Sequence, residues 1–233
     1  LVEDDSIDGD AEIIALAINM LKTAGLENFQ LDIGHVGFFK EIVHEAGLDE
    51  DTVSKLRKLI IAKNYFGVET MVRELHLPDS VSEVLGGLPA LFGSVSVIDD
   101  ARRCTSNEGA RRVLDHLEAL YRRLTLYGFE KYVTIDLGML TEYEYYTGII
   151  IQGYTYGTGD AIVKGGRYDK LIGQFGKEAA SVGFVIVLDE LMLAISRQKI
   201  NIPAGEKGTM VLYEDGYLKY AINAANSLRM INR

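Results

Sequence analysis

The chain has 233 residues and a mass of 25.8 kDa, and 48% of its residues are apolar, enough for one substantial core with room for a small second module. Lys and Arg number 24 against 34 Asp and Glu, a formal charge of −10, which argues against general nucleic-acid binding because phosphate neutralisation needs a cationic surplus. A single cysteine, Cys104, excludes an intrachain disulfide framework and a multi-cysteine zinc site, and it fits a reducing compartment.

In chain order, acidic Asp8, Asp10 and Glu12 precede Ile13, Ile14, Leu16, Ala17, Met20 and Leu21, a helix start favoured by the dipole and closed by Gly25. Phe29, Leu31 and Ile33 alternate with polar residues and predict a short strand. Residues 37–125 read as mostly helical, with a break at Pro78, a cap expected from Ser80, and a long helix opened by Asn107 and closed by Gly128. The character then changes. Strands are expected at 131–137, 145–152, 161–164 and 181–187, the last running into a helix at 188–197. Turns rather than helical crossovers join these strands, so the sheet is expected to be antiparallel and the class α+β. Residues 198–208 read as a linker, and 209–233 as a strand at 209–213 and a helix that begin a C-terminal α/β domain.

The chain opens without Met and stops inside a helical pattern, which reads as a fragment. The sequence shows no bilayer-length apolar run and no signal segment, which gives a soluble, cytoplasmic, membrane-free expectation. Four histidines never reach HExxH spacing, and Walker A and G-x-S-x-G sequences are lacking. Gly157-Thr158-Gly159 has Ile162 where a dinucleotide loop needs its third glycine. Neither a metal nor a cofactor is expected.

The informative stretch is 143–183, with six tyrosines and nine glycines. Glycine lets backbone approach a ligand, and tyrosine supplies flat walls with polar edges. That pairing points to a small-molecule pocket on a sheet, although aromatic cross-strand packing explains about half of these residues equally well.

Glu144-Tyr145-Tyr146, the loop Gly165-Gly166-Arg167-Tyr168-Asp169-Lys170-Leu171, and Val182-Gly183-Phe184 before a helix resemble histidyl-tRNA synthetases in order and spacing. The resemblance covers residues 1 to about 197. It implies the C-terminal half of a class II synthetase-like core, an antiparallel sheet flanked by helices, with the helical stretch 37–125 as an insertion. It also implies a histidine-like pocket formed by Glu144, Tyr145, Tyr146, Gly165, Gly166, Arg167 and Tyr168. Tyr145 and Tyr146 are expected in adjacent strand positions, so they face opposite sides and at most one of them lines that pocket while the other packs a core. Arg167 is either the pocket's remaining cation or half of a surface pair with Asp169.

Two positions depart from the family. Thr141 stands where synthetases carry an arginine before the tyrosine pair, and Glu190 where the third motif carries another; Gln152 replaces a glutamate. Adenylation needs fixed cations beside a polyanion. A carboxylate ~4 Å from a phosphate oxygen costs about 4 kcal/mol at an effective dielectric of about 20. Together with Asp136-Leu137-Gly138-Met139-Leu140 and Gly153-Tyr154-Thr155-Tyr156-Gly157-Thr158-Gly159-Asp160, this resembles the non-adenylating branch of the family, the regulatory subunits of ATP phosphoribosyltransferase. That resemblance implies no catalytic residues and a short-form catalytic subunit as partner. It further implies a histidine ligand, a homodimer within a hetero-oligomer, and no tRNA. The alternatives are a divergent histidyl-tRNA synthetase and a stand-alone amino-acid-binding module.

Overall fold

The computed structural model describes residues 1–141, 145–202 and 209–231. Its contacts divide the chain into two units, Leu1–Ile200 and Asn201–Arg233.

In the first unit, helix α1 (Ile7–Thr23) begins where the Ser6 hydroxyl accepts from the Gly9 amide at 3.0 Å, with Asp8 and Asp10 in its first turn. Strand β1 (Phe29–His35) passes directly into α2 (Val36–Glu45), and the strand's last residue caps the helix: His35 Nδ1 accepts from the Gly37 amide at 3.0 Å. Asp49 caps α3 (Glu50–Ile61) and Asn64 caps α4 (Tyr65–Glu74) in the same manner. Helix α5 (Asp79–Gly87) starts one residue before the expected cap: Pro78 takes the cap position without a side-chain bond, and Ser80 lies inside the helix. After the two-residue strand β2 (Phe92–Gly93) come α6 (Ser96–Cys104) and α7 (Glu108–Leu126), the latter capped by Asn107 as its sequence predicts.

Strands β3 (Val133–Asp136), β4 (Ile149–Thr155), β5 (Val163–Arg167) and β6 (Val182–Ile186) follow, and α8 (Leu188–Arg197) closes the unit. The six strands form one sheet in the order β2-β3-β1-β4-β5-β6. Its pairs are antiparallel with one exception: β1 and β3 run parallel, Asp32 opposite Thr134. The chain between them is the long helical stretch, and a crossover of that length is what lets two strands run in one direction.

The two faces of the sheet differ sharply. Leu31, Ile33, Ile135, Ile151 and Val163 point to one side, where they are buried in the core cluster with Ile14, Ile18 and Leu21 of α1 and Leu114, Leu117 and Leu120 of α7. The alternate positions, Gln30, Asp32, Thr134, Gln152 and Lys164, point to the other. A folded domain this size needs one apolar sheet face to build a core; a second face carrying this much polarity is available for other work.

The second unit contains α9 (Leu218–Ile231). Residues 209–213 form no strand, contrary to the sequence expectation; a strand needs a neighbour to take its backbone hydrogen bonds, and the described residues of this unit supply none.

Candidate functional site

On the polar side of the sheet sits a small apolar island: Val36, Met139, Tyr146 and Ile150 are buried together, with Tyr168 packed against them. Tyr145 and Tyr146 do not lie in β4, which starts at Ile149, so strand alternation does not separate them. Their rings touch instead, centroids 4.5 Å apart, and Tyr145 meets Tyr168 edge-on at 6.3 Å. This corrects the expectation that the pair faces opposite ways. Tyr146 is buried and Tyr145 partly exposed.

Glycine makes the approach of these rings possible. A Cβ at Gly166 would stand 2.4 Å from the Ile149 carbonyl oxygen and 2.7 Å from the Tyr146 ring, and one at Gly165 2.4 Å from the Gly183 carbonyl oxygen. Both glycines serve backbone shape. Glu144, the remaining predicted contact, lies outside the described residues.

Arg167 does pair with Asp169, but below the surface rather than on it. It is 5% exposed and grips Asp10, itself fully buried, through Nε at 2.9 Å and Nη2 at 2.7 Å. Its Nη1 donates to the Asp4 carbonyl and to Asp169 Oδ1, and its Nη2 to the Ser6 carbonyl. Asp169 in turn accepts from the Thr147 hydroxyl at 2.9 Å and the Ser181 amide at 3.1 Å. The guanidinium thus ties the start of α1 to β5 and to Thr147, the residue after the tyrosine pair. A planar five-donor group suits such a hub.

Asp10 and His116 were missed as members of this network. His116 Nε2 lies 3.1 Å from the second Asp10 oxygen, and its ring meets His35 edge-on at 5.4 Å. Burial foremost, then the neighbouring His116, pulls the His35 pKa down to about 4, so this ring is neutral. A signal for Asp10 existed: it stands three, four and seven residues before Ile13, Ile14 and Ala17, on the stripe that α1 buries.

Thr141 lines a cavity of about 220 Å³ together with Tyr146, Lys40 of α2 and Arg57 of α3. These two cations lie outside the inherited motifs and arrive from elements far away in the chain. Glu190 falls in the first turn of α8, directly after β6, and its Oε2 is buried with no hydrogen-bond partner. No basic side chain answers it among the described ion pairs.

Residues 1–191 match the family described as Histidyl-tRNA synthetase. The chain belongs to the histidyl-tRNA synthetase family. Within that family it is 41% identical, over 95% of its own length and 53% of the relative's, to the ATP phosphoribosyltransferase regulatory subunit of Acetivibrio thermocellus. The chain spans about half the length of the curated relatives it matches. Among solved structures it is similar to an ATP phosphoribosyltransferase regulatory subunit/histidyl-tRNA synthetase from Bacillus halodurans C, with 32% identity, a TM-score of 0.80, and coverage of 100% of this chain and 59% of that one. The histidyl-tRNA synthetase from Nostoc sp. PCC 7120 shares the fold at 20% identity, with a TM-score of 0.74 over 99% of this chain and 57% of that one. The family's class II sheet is therefore the sheet described above, and the tyrosine island lies on its polar face.

Proposed function

We propose that the protein containing this chain is a regulatory subunit of ATP phosphoribosyltransferase. In this reading it does no chemistry of its own, supports a short-form catalytic subunit in the first step of histidine biosynthesis, and carries the histidine feedback signal. The histidine would meet the Tyr146–Tyr168 surface, and the chain would act as a homodimer within a hetero-oligomer. The observation that carries the reading is Glu190. At the head of α8, where an adenylating relative places an arginine, this chain buries a carboxylate oxygen without a partner. That position would repel a triphosphate. The name shared by the similar curated proteins supports the same assignment.

Lys40 and Arg57 beside Thr141 favour a second reading, a divergent synthetase that has moved its cations. One pair of assays separates the two. The intact protein is expected to show no histidine-dependent ATP–pyrophosphate exchange and to restore activity when mixed with a short-form phosphoribosyltransferase. Exchange above background would establish the second reading, and failure to restore activity at any histidine concentration would remove the first.

A further inference from the structure

The polar face of the sheet carries a second concavity, further along than the tyrosine island, over β3, β1 and β4. Its volume is about 450 Å³, within the range of small-molecule sites. Asp32, Asp136, Gln152 and Tyr154 come to it from the three strands, and Lys63 from the turn between α3 and α4. Tyr65, Phe92, Pro89 and Met139 give it apolar walls.

The strands fix these polar groups in register. Asp32 stands opposite Thr134 on one side and Gln152 on the other. Its Oδ1 accepts from Gln30 Nε2 at 2.7 Å and from the Thr134 hydroxyl, so the carboxylate is held in place. The Tyr154 hydroxyl donates to Gln152 Oε1 at 2.7 Å. Asp136 is 6% exposed; its Oδ2 takes Lys63 Nζ at 2.9 Å, and its Oδ1, buried beside Gly138, makes no close hydrogen bond. A buried acceptor left without a close donor is rare in a native fold.

The charges do not balance. Two carboxylates face one ammonium, and that ammonium sits on a side chain 46% exposed at the mouth. The field reaches its neighbours. Burial first, then Asp32, Asp160 and Asp136, pushes the Tyr154 phenol up. Burial, opposed by Lys63 and reinforced by Asp32, pushes the Asp136 carboxyl up. A metal ion is the wrong complement, because no group of three or more His, Cys, Asp or Glu is placed to hold one among the described residues. A monocation able to donate hydrogen bonds fits better: it would bond to the Asp32 and Asp136 carboxylates beside Lys63, neutralise the surplus charge, and lay an apolar body against Tyr65 and Phe92.

We propose that this concavity is a binding site for a small organic cation, a primary ammonium on a compact aromatic or apolar body, with Asp136 and Asp32 as its anchors and Lys63 as the ammonium that shares them. The inference rests on the geometry of these residues alone and stands or falls independently of the regulatory reading.

The test uses the intact protein with phenethylamine as probe and 2-phenylethanol as the neutral molecule of nearly the same shape, read by chemical-shift changes at the Gln152 side-chain amide. Phenethylamine is expected to move that signal saturably, and phenylethanol to leave it in place. Asp136→Asn should weaken binding about tenfold, the scale of one charge-assisted hydrogen bond. Lys63→Met removes the competing ammonium and should tighten binding several-fold, a gain that damage to the fold cannot imitate. Equal shifts from both probes, shifts confined to another part of the sheet, or a Lys63→Met variant that binds no better would each overturn the proposal.

Discussion

Arg167 shows how much a single side chain can organise when it is buried. Its partner Asp10 lies 157 residues away in sequence, and both are sealed from water. Such a pair adds little net stability over a hydrophobic replacement, but removing one member leaves an uncompensated charge inside. Arg167→Met is therefore expected to cost about 3–5 kcal/mol in urea unfolding. Combining it with Asp10→Leu should recover a substantial part of that loss, because the charge left without its partner is then that of Asp169, which is partly exposed and still accepts from Thr147 and Ser181. A single-variant loss near zero would show that the pair is no anchor. The sequence offered Arg167 a pair with Asp169, and the structure adds Asp10 to it, for a simple reason: a guanidinium goes where a buried carboxylate is, and nothing local in Gly165-Gly166-Arg167 says where that carboxylate lies. Asp10 was legible as an acid on an apolar stripe, but its partner was not.

At the scale of the element, α2 offers a pH-dependent test. His35 caps it through Nδ1, and its pKa in the folded chain is about 4 against an ordinary 6.5. His116, Asp10, Lys40 and Arg167 are the charged and titratable groups that face it. The unfolded chain therefore takes up a proton between pH 6.5 and 4 that the native state refuses. The contribution of His35 is complete above pH 6.5 and is lost as the pH falls toward 4, by about 3 kcal/mol at 1.36 kcal/mol per pKa unit. In His35→Asn, whose amide oxygen can still cap the helix, stability between those limits should flatten; an unchanged slope would assign the pH dependence elsewhere. The helices themselves were largely legible, because apolar residues at helical spacing and Asn or Asp caps are local signals, as at Asn107 and Gly128. Strand edges were less so. Tyr145 and Tyr146 favour strands by residue type, yet β4 starts only at Ile149, because its partner β1 ends at His35: the Val36 amide still reaches the Gly148 carbonyl, but Val36 already belongs to α2, and the Thr147 hydroxyl goes to Asp169.

For the whole molecule, charge is the property that composition alone predicts well. At −10 the chain should repel a polyanion, so a gel shift with tRNA at about 100 mM salt is expected to show no complex with the chain. A salt-sensitive complex would mean that basic groups such as Lys40 and Arg57 act together as a local patch. None of the helices described is long and apolar enough to cross a membrane. The helical stretch between β1 and β3 belongs to the same unit as the sheet, and it walls the cation concavity through Lys63 and Tyr65.

What the sequence determined by itself was the set of local preferences: helices from apolar periodicity, a glycine- and tyrosine-rich sheet region, and the substitutions Thr141 and Glu190 within inherited motifs. Only the tertiary structure decided which strands became neighbours, and with them the parallel β1–β3 pair, the burial of Arg167 on Asp10, and the meeting of Asp32 with Asp136. The reason is range. Helix periodicity and caps act within a few residues, whereas a buried charge or a pocket depends on where chain segments a hundred residues apart come to rest, and that is set by packing the whole core at once.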